Sequence, residues 1–165
     1  MTKNEGFENL LKLDAYQVFL FVCPASIPIS FGAHTWLVVN KKGAVSRWEM
    51  LFWKNHCVPE LGHMHINTHP PFVGIEIFEF SEKYRWGARL LKMVEGDQNS
   101  AAKRMVEFIE HSRETYPYKD TYRLTGPNSN TYVQWVLDHF PEFDAQLPFN
   151  AIGKRFKIVP NGHFK

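Results

Sequence analysis

The amino-acid sequence predicts an α+β fold, an antiparallel sheet with helices packed on it, as a single domain over residues 1–165. Segments with strand character fill most of the first 94 residues, whereas the two clearest helical patterns lie between residues 99 and 140. Runs of strands followed by runs of helices are typical of α+β proteins. A length of 165 residues with 44% hydrophobic residues suffices for one buried core, and no repeat or long linker divides the chain.

The strand predictions rest on apolar runs that end at turn-forming residues. The run that begins at Tyr16 stops before Pro24, because proline cannot donate to a strand ladder. Two lysines followed by Gly43 form a hairpin signal between two further runs. Alternating side chains and a later apolar stretch predict two more strands. The predicted strands are residues 16–23, 33–40, 44–52, 72–80 and 88–94.

Helical periodicity appears in three places. A short apolar pattern predicts a helical segment within residues 1–15. The next helix is expected to begin at a cap on Asn99 or Ser100 and to continue to about Thr115, because its apolar residues fall on one face.

The last helix begins between residues 129 and 132 and ends at Phe140, since a proline follows. Ser129 is one candidate for its N-cap, because serine is a preferred capping residue. Thr131 is the other, because with Gln134 it forms a T-x-x-Q capping box. The tail, residues 148–165, is expected to be irregular.

Composition excludes several classes of protein. The net charge is 19 − 17 = +2, too small for polyanion binding as the main function, although basic and aromatic residues cluster from Lys154 to Lys165. We therefore do not expect nucleic acid as a partner. No run reaches a membrane-spanning length and no signal peptide is predicted. Cys23, in an apolar run, is expected to be buried, and with Cys57 it forms no disulfide framework, so the sequence predicts a soluble, cytoplasmic protein.

Three polar residues form a candidate catalytic set. His34 opens a predicted strand, Ser129 lies at a helix entry, and Glu49 lies on the strand paired with that of His34. A hydroxyl, an imidazole and a carboxylate are the groups that nucleophilic acyl transfer needs. Strand periodicity alone favours a solvent-facing Glu49, with Arg47 on the same face and able to pair with it.

The contexts of these residues resemble known families. Asn128-Ser129-Asn130, with an aromatic residue two positions later, resembles the Asn-Cys-Asn-x-Phe signature of circularly permuted NlpC-type proteins, which have a papain fold. In that group the histidine comes first, on a strand, and the nucleophile comes late, at a helix start. A closer resemblance is to the bacterial domain-of-unknown-function 3750 family, over roughly residues 33–155. It is carried by Ala33 to Trp36, Tyr116 to Tyr118, Gly126 to Thr131, Leu147-Pro148 and Ala151 to Lys154.

The resemblance implies a permuted papain-like domain and a hydrolase or acyl-transfer enzyme acting on an amide, ester or thioester. Ser129 would be the nucleophile, His34 the general base and Glu49 the third member. Asn128 and Asn130 would bind the oxyanion or the substrate. The substrate would be a small molecule, a peptide or an acyl compound. A catalytically inactive binding domain is the alternative, and a polyanion-binding module is a third class.

The possibility of a catalytically inactive binding domain arises because position 129 holds serine where the papain-like group has cysteine. A helix N-terminus stabilises an anion by up to about 2 kcal/mol, which lowers a thiol pKa from about 8.5 to near 7. The same shift leaves a serine hydroxyl unionised. Ser129 would therefore depend on His34 as its base and on an oxyanion hole built from helix-start N–H groups or Asn128.

His63, His65 and His69 form an H-x-H-type cluster. Such a pair can place both rings on one face of a strand. Because no carboxylate lies at a standard ligand spacing, we interpret the segment as a polar loop beside the cleft and predict no metal and no cofactor.

Overall fold

The computed structural model describes residues 6–79 and 81–159 and confirms the α+β class. Among these residues the strands are β1 (Tyr16–Pro24), β2 (Ala33–Lys41), β3 (Ala44–Met50), β4 (Met64–Ile66) and β5 (Arg89–Gly96). The helices are α1 (Ala101–Thr115) and α2 (Ser129–His139), with single 3-10 turns at Glu8–Leu10, Pro59–Leu61 and Pro141–Phe143. Four of the five predicted strands and both C-terminal helices therefore lie close to their expected places.

The strands form one antiparallel sheet in the order β4-β3-β2-β1-β5. The β2–β3 hairpin turns at Lys42 and Gly43, whose φ angles of 52° and 92° lie in the left-handed region. Glycine adopts that region without strain, which explains why the lysine–glycine signal marks this turn. Along β1 both faces are buried, so its sequence is a continuous apolar run rather than an alternation.

The two helices cover one face of the sheet, α1 on β1 and β5 and α2 on β2 and β3. Ser100 caps α1 by accepting a hydrogen bond from the backbone of Lys103, as one of the two expected caps. The opposite face packs against Phe72 and Ile75 from the long β4–β5 connection. Residues that differ by one position along β1 and β2 thus enter two separate apolar clusters.

The predicted strand over residues 72–80 is wrong. The described part, 72–79, contributes only isolated bridges, Ile27 to Phe78 and Glu76 to Arg85. Its backbone instead folds across the face of the sheet. At Gly74 a Cβ atom would lie 2.4 Å from the carbonyl oxygen of Trp86, so the chain passes there too closely for a side chain.

Three smaller expectations are also settled. The predicted N-terminal helical segment has only one 3-10 turn within its described part, and residues 1–5 lie outside the described chain. Strand β4 lies in a stretch expected to be irregular. Residues 148–159 are irregular as expected, and 160–165, including the basic and aromatic end of the tail, lie outside the described residues.

Candidate active site

Ser129 is the first residue of α2 and is only 2% exposed. Asn128 is the N-cap: its side chain accepts hydrogen bonds from the backbone N–H groups of Asn130 and Thr131. The Thr131 hydroxyl accepts in return from the Asn128 backbone N–H, at 3.1 Å. Both predicted N-caps, Ser129 and Thr131, are therefore wrong. The N-cap is Asn128, and Thr131 is the residue three positions after it that completes the capping box.

The two asparagines hold this helix start against β2. Asn130 donates to the carbonyls of Ala33 and Ile152, both at 2.8 Å, and accepts from Thr35 at 2.9 Å. Asn128 donates to the carbonyl of Ile152 at 3.0 Å. It also donates to the carbonyls of Arg123 and Leu124.

These contacts use the amide protons of both side chains. Asn128 and Asn130 therefore position Ser129, and their predicted contact with an oxyanion or substrate stays a prediction that would require these bonds to rearrange. At the helix start the N–H groups of Asn130 and Thr131 are donated to the Asn128 side chain, which leaves the N–H of Ser129 as the backbone candidate for an oxyanion hole.

His34 stands near the start of β2, and its Nε2 lies 2.8 Å from Oε2 of Glu49 on β3. Glu49 is fully buried, so the expected solvent-facing position is wrong. Arg47 does pair with it as expected, with 2.7 Å between Arg47 Nε and Glu49 Oε1. The guanidinium also lies over the Trp36 ring, 4.2 Å from its centroid. A buried carboxylate is tolerated here because a buried cation balances it.

The charge state of Glu49 fixes the tautomer of His34. Burial alone would raise the pKa of Glu49, but Arg47 and the hydrogen bond from His34 hold it well below its usual range. An ionised carboxylate only accepts hydrogen bonds, so Nε2 of His34 must carry a proton. Nδ1 makes no hydrogen bond to a described residue and, in neutral His34, carries the lone pair that a general base needs.

His34 and Ser129 line one cavity of about 280 Å³, together with Asn128 and Asn130. This agrees with the expectation that the two residues share a cleft although 95 positions separate them in the sequence. No direct hydrogen bond joins their side chains. Catalytic hydrogen bonds are often absent before substrate binds, so this geometry is compatible with general-base chemistry.

Tyr122, on the loop that leads to α2, was not singled out by the sequence. Its hydroxyl lies against both the side chain and the backbone N–H of Ser129, and burial raises the pKa of the phenol to about 12. Its ring packs edge-on against Phe52 and beside His63. The N–H groups of the next two helix residues are already donated to the Asn128 side chain. The phenol that contacts the Ser129 hydroxyl and N–H is neutral, so its O–H is a candidate hydrogen-bond donor beside the serine.

The histidine cluster is more buried than expected. His65, on β4, forms hydrogen bonds with the Thr68 hydroxyl and the Trp53 carbonyl. His69, which follows β4, accepts a hydrogen bond from the Arg85 guanidinium. Burial lowers the pKa of His69 to about 4. Within residues 6–79 and 81–159, no group of three or more metal-ligating side chains comes together.

The fold and this site define a class: an α+β domain in which a serine at a helix start shares a cavity with a histidine held by a buried glutamate–arginine pair. The chain belongs to the family described as "Protein of unknown function (DUF3750)", whose model matches residues 16–156. This confirms the closer of the two resemblances in the sequence. Comparison with curated proteins and with solved structures found no match. Among the described residues, no helix is both long and apolar enough to cross a bilayer.

Proposed function

We propose that this protein is a hydrolase or acyl-transfer enzyme with a permuted papain-like, NlpC-type fold, acting on an amide, ester or thioester. The observation that carries the proposal is the cavity shared by Ser129 and His34, with Glu49 buried behind the imidazole. The order of the parts supports it too: as in the permuted group, the histidine comes early on a strand and the nucleophile late at a helix start.

The residues suit a two-step reaction. His34 Nδ1 would take the proton of the Ser129 hydroxyl as its oxygen attacks the carbonyl carbon. The tetrahedral oxyanion would accept hydrogen bonds from the Tyr122 hydroxyl and from the Ser129 N–H, which would turn from the phenol oxygen to the oxyanion. His34 would then give its proton to the leaving group, and water or another acceptor would release the acyl group by the same steps in reverse.

Glu49 and Arg47 have a positioning role in this proposal. The carboxylate holds Nε2 protonated and stabilises the imidazolium that forms when His34 takes the serine proton. Arg47 keeps that carboxylate ionised despite its burial. Because the helix start cannot ionise a serine hydroxyl, this support of His34 is what the reaction most depends on.

A fluorophosphonate probe tests the proposal, because it labels a serine only when a neighbouring base activates it. We expect stoichiometric labelling of the wild-type protein, none of Ser129→Ala, and labelling slowed roughly 100-fold or more in His34→Ala. Ser81→Ala, a change outside the cavity, is the matched control and should label like wild type. Wild-type protein that is folded yet resists the probe would contradict an active serine.

The alternative is a binding domain that keeps the cavity but has lost the reactive thiol. The serine at position 129 favours it, because the helix start would activate a thiol but not a hydroxyl. Ligand binding in the cavity without probe labelling would support this second function.

A further inference from the structure

The walls of the cavity beside Ser129 are mainly hydrocarbon. Leucine, isoleucine and phenylalanine side chains line it together with Trp53: Ile29, Leu51, Phe52, Ile75, Leu124 and Ile152. Two of them stand at the solvent side, where Phe52 is 66% exposed and Leu124 is 51% exposed. Large apolar side chains exposed together around a concave site are typical of a surface that a ligand covers.

The charged side chains that line the cavity are both acidic. Glu76 and Glu79 line it, and no lysine or arginine does. Glu76 is balanced by Arg85 at 3.3 Å. Glu79 is exposed and forms no ion pair with a described residue. An anionic substrate would therefore meet uncompensated negative charge, whereas a neutral or cationic one would not.

We propose that the cavity binds an apolar acyl chain whose carbonyl lies at Ser129, and that the leaving part of the substrate is uncharged or cationic. The inference rests on the proposed function and narrows its substrate class. It disfavours anionic carriers such as phosphorylated thioesters. In the reaction the acyl–oxygen bond breaks, a bond from the acyl carbon to Ser129 Oγ forms, and the alcohol leaves with the proton from His34; water then restores the serine and releases the acid.

A series of p-nitrophenyl esters, from acetate to decanoate, tests the acyl site. Each methylene buried in an apolar wall should raise kcat/KM roughly fourfold until the cavity is filled. Phe52→Ser should flatten this rise. Phe149→Ser is the matched control, because Phe149 is 96% exposed but does not line the cavity. Turnover that does not depend on chain length would overturn the proposal.

A matched pair of esters tests the charge preference. 4-Octanoyloxy-N,N,N-trimethylanilinium has a cationic leaving group and 4-octanoyloxybenzenesulfonate has an anionic one, and both are aryl esters of the same acid. We expect the cationic ester to be preferred, and Glu79→Gln to reduce that preference by up to about fivefold. Glu82→Gln, an exposed change outside the cavity, should leave it unchanged. Preference for the anionic ester would contradict the proposed substrate class.

Binding of neutral amides separates this inference from the proposed activity. Trp53 lines the cavity, so its fluorescence should change with octanamide at far lower concentration than with acetamide, and Trp53→Phe should lose that signal. If no ester is turned over but octanamide still binds preferentially, the acyl site stands and the enzymatic proposal fails. If neither ester turnover nor octanamide binding occurs, both are wrong.

Discussion

At the scale of single residues, Arg47 is a fully buried cation with several partners. Its guanidinium pairs with Glu49 and donates to the carbonyls of Pro70 and Val73. One side chain thus balances a buried charge and fastens the connection that covers the sheet. Removing one member of a buried ion pair leaves the other charge without a partner, at a cost of about 3–5 kcal/mol.

Arg47→Met should therefore lower the free energy of unfolding by about 3–5 kcal/mol, because the buried carboxylate of Glu49 would lose the cation that balances its charge. Adding Glu49→Gln should recover part of the loss, since it removes that unpaired charge. Urea denaturation of the single and double variants measures both effects. Lys41→Met, which breaks an exposed pair with Glu110, is the control and should cost less than about 1 kcal/mol. Equal effects at Arg47 and Lys41 would contradict the assigned role.

Ser129→Cys tests the electrostatics around position 129 directly. The helix start and a neighbouring His34 should both depress the pKa of the new thiol, so it should react with iodoacetamide near pH 7. Cys23 gives a slow background, because burial raises the pKa of its thiol to about 12. Cys57 is exposed and serves as the ordinary thiol for comparison.

The control for that experiment is the same cysteine variant combined with His34→Ala, which should lose most of the excess reactivity. The pH profile of alkylation is the measurement. A midpoint near 8.5 that ignores the His34 change would rule out an interacting pair at this site.

Tyr122→Phe tests the phenol as an oxyanion donor. Because its hydroxyl lies against Ser129 and would stabilise the charge that develops in the transition state, we expect kcat to fall about 100-fold with little change in KM. Steady-state kinetics on the preferred ester measures the split. Tyr84→Phe, an exposed tyrosine outside the cavity, is the control. A change confined to KM would indicate that Tyr122 only shapes the cavity.

At the scale of elements, the start of α2 depends on how closely the C-terminal segment approaches it. Gly153 has a φ of 92°, and a Cβ there would lie 2.5 Å from Nδ2 of the Asn128 side chain. The Gly153 carbonyl also accepts from the Thr131 hydroxyl at 2.8 Å. The glycine therefore lets the backbone pass directly over the capping box that positions Ser129.

Gly153→Ala should displace Asn128 and destabilise the protein by more than about 1 kcal/mol, because it combines a positive φ with a steric clash. Gly6→Ala separates the two causes, since Gly6 also has a positive φ, 119°, but nothing within 4 Å of its Cβ position. Thermal unfolding compares the variants. A loss no larger at Gly153 than at Gly6 would show that the contact with Asn128 is unimportant.

At the scale of the whole molecule, the sequence predicted the parts that local pattern determines. The sequence predicts strands β1 to β3 because their apolar runs are bounded by a proline or a glycine turn. The connection near Phe72 resembles a strand in sequence, because its side chains alternate at Val73, Ile75 and Ile77, but its described residues form only isolated bridges. Only tertiary packing distinguishes the two cases.

Some features of the candidate site are likewise predictable from local sequence and others are not. The order of His34 and Ser129 and their context were visible in the sequence, whereas the burial of Glu49 was not. Strand periodicity places Arg47 beside Glu49 but does not show that the β4–β5 connection covers this pair, since Arg47 donates to the carbonyls of Pro70 and Val73 only in the folded chain. Tyr122 lies in a proline- and glycine-containing loop whose path no periodicity specifies.

Burial of His69 should make the whole fold sensitive to mild acid. Burial lowers its pKa to about 4 in the folded protein, against about 6.5 when unfolded. When the pKa of a group is lower in the folded protein than in the unfolded chain, its contribution to stability is fully present at a pH above the unfolded pKa. That contribution is lost as the pH falls towards the folded pKa. The loss between pH 7 and pH 4 should reach about 3 kcal/mol. Because the pKa of Glu49 is also lowered, its own contribution should disappear only below about pH 4.5.

Urea midpoints measured from pH 7 to pH 4 test this dependence. His69→Gln should reduce the slope between pH 6.5 and pH 4.5, because the amide can still accept from Arg85 but takes up no proton, and the slope that stays should come from His65, whose pKa burial also lowers. The control is His111→Gln, at a histidine whose side chain is 65% exposed. It should leave the dependence of the urea midpoint on pH unchanged. The groups that face His69 electrostatically are Glu49, Arg47, Arg85 and His34. If His69→Gln kept the wild-type slope, the acid sensitivity would have to come from another group, and His69 would not be the neutral, buried imidazole that the fold requires.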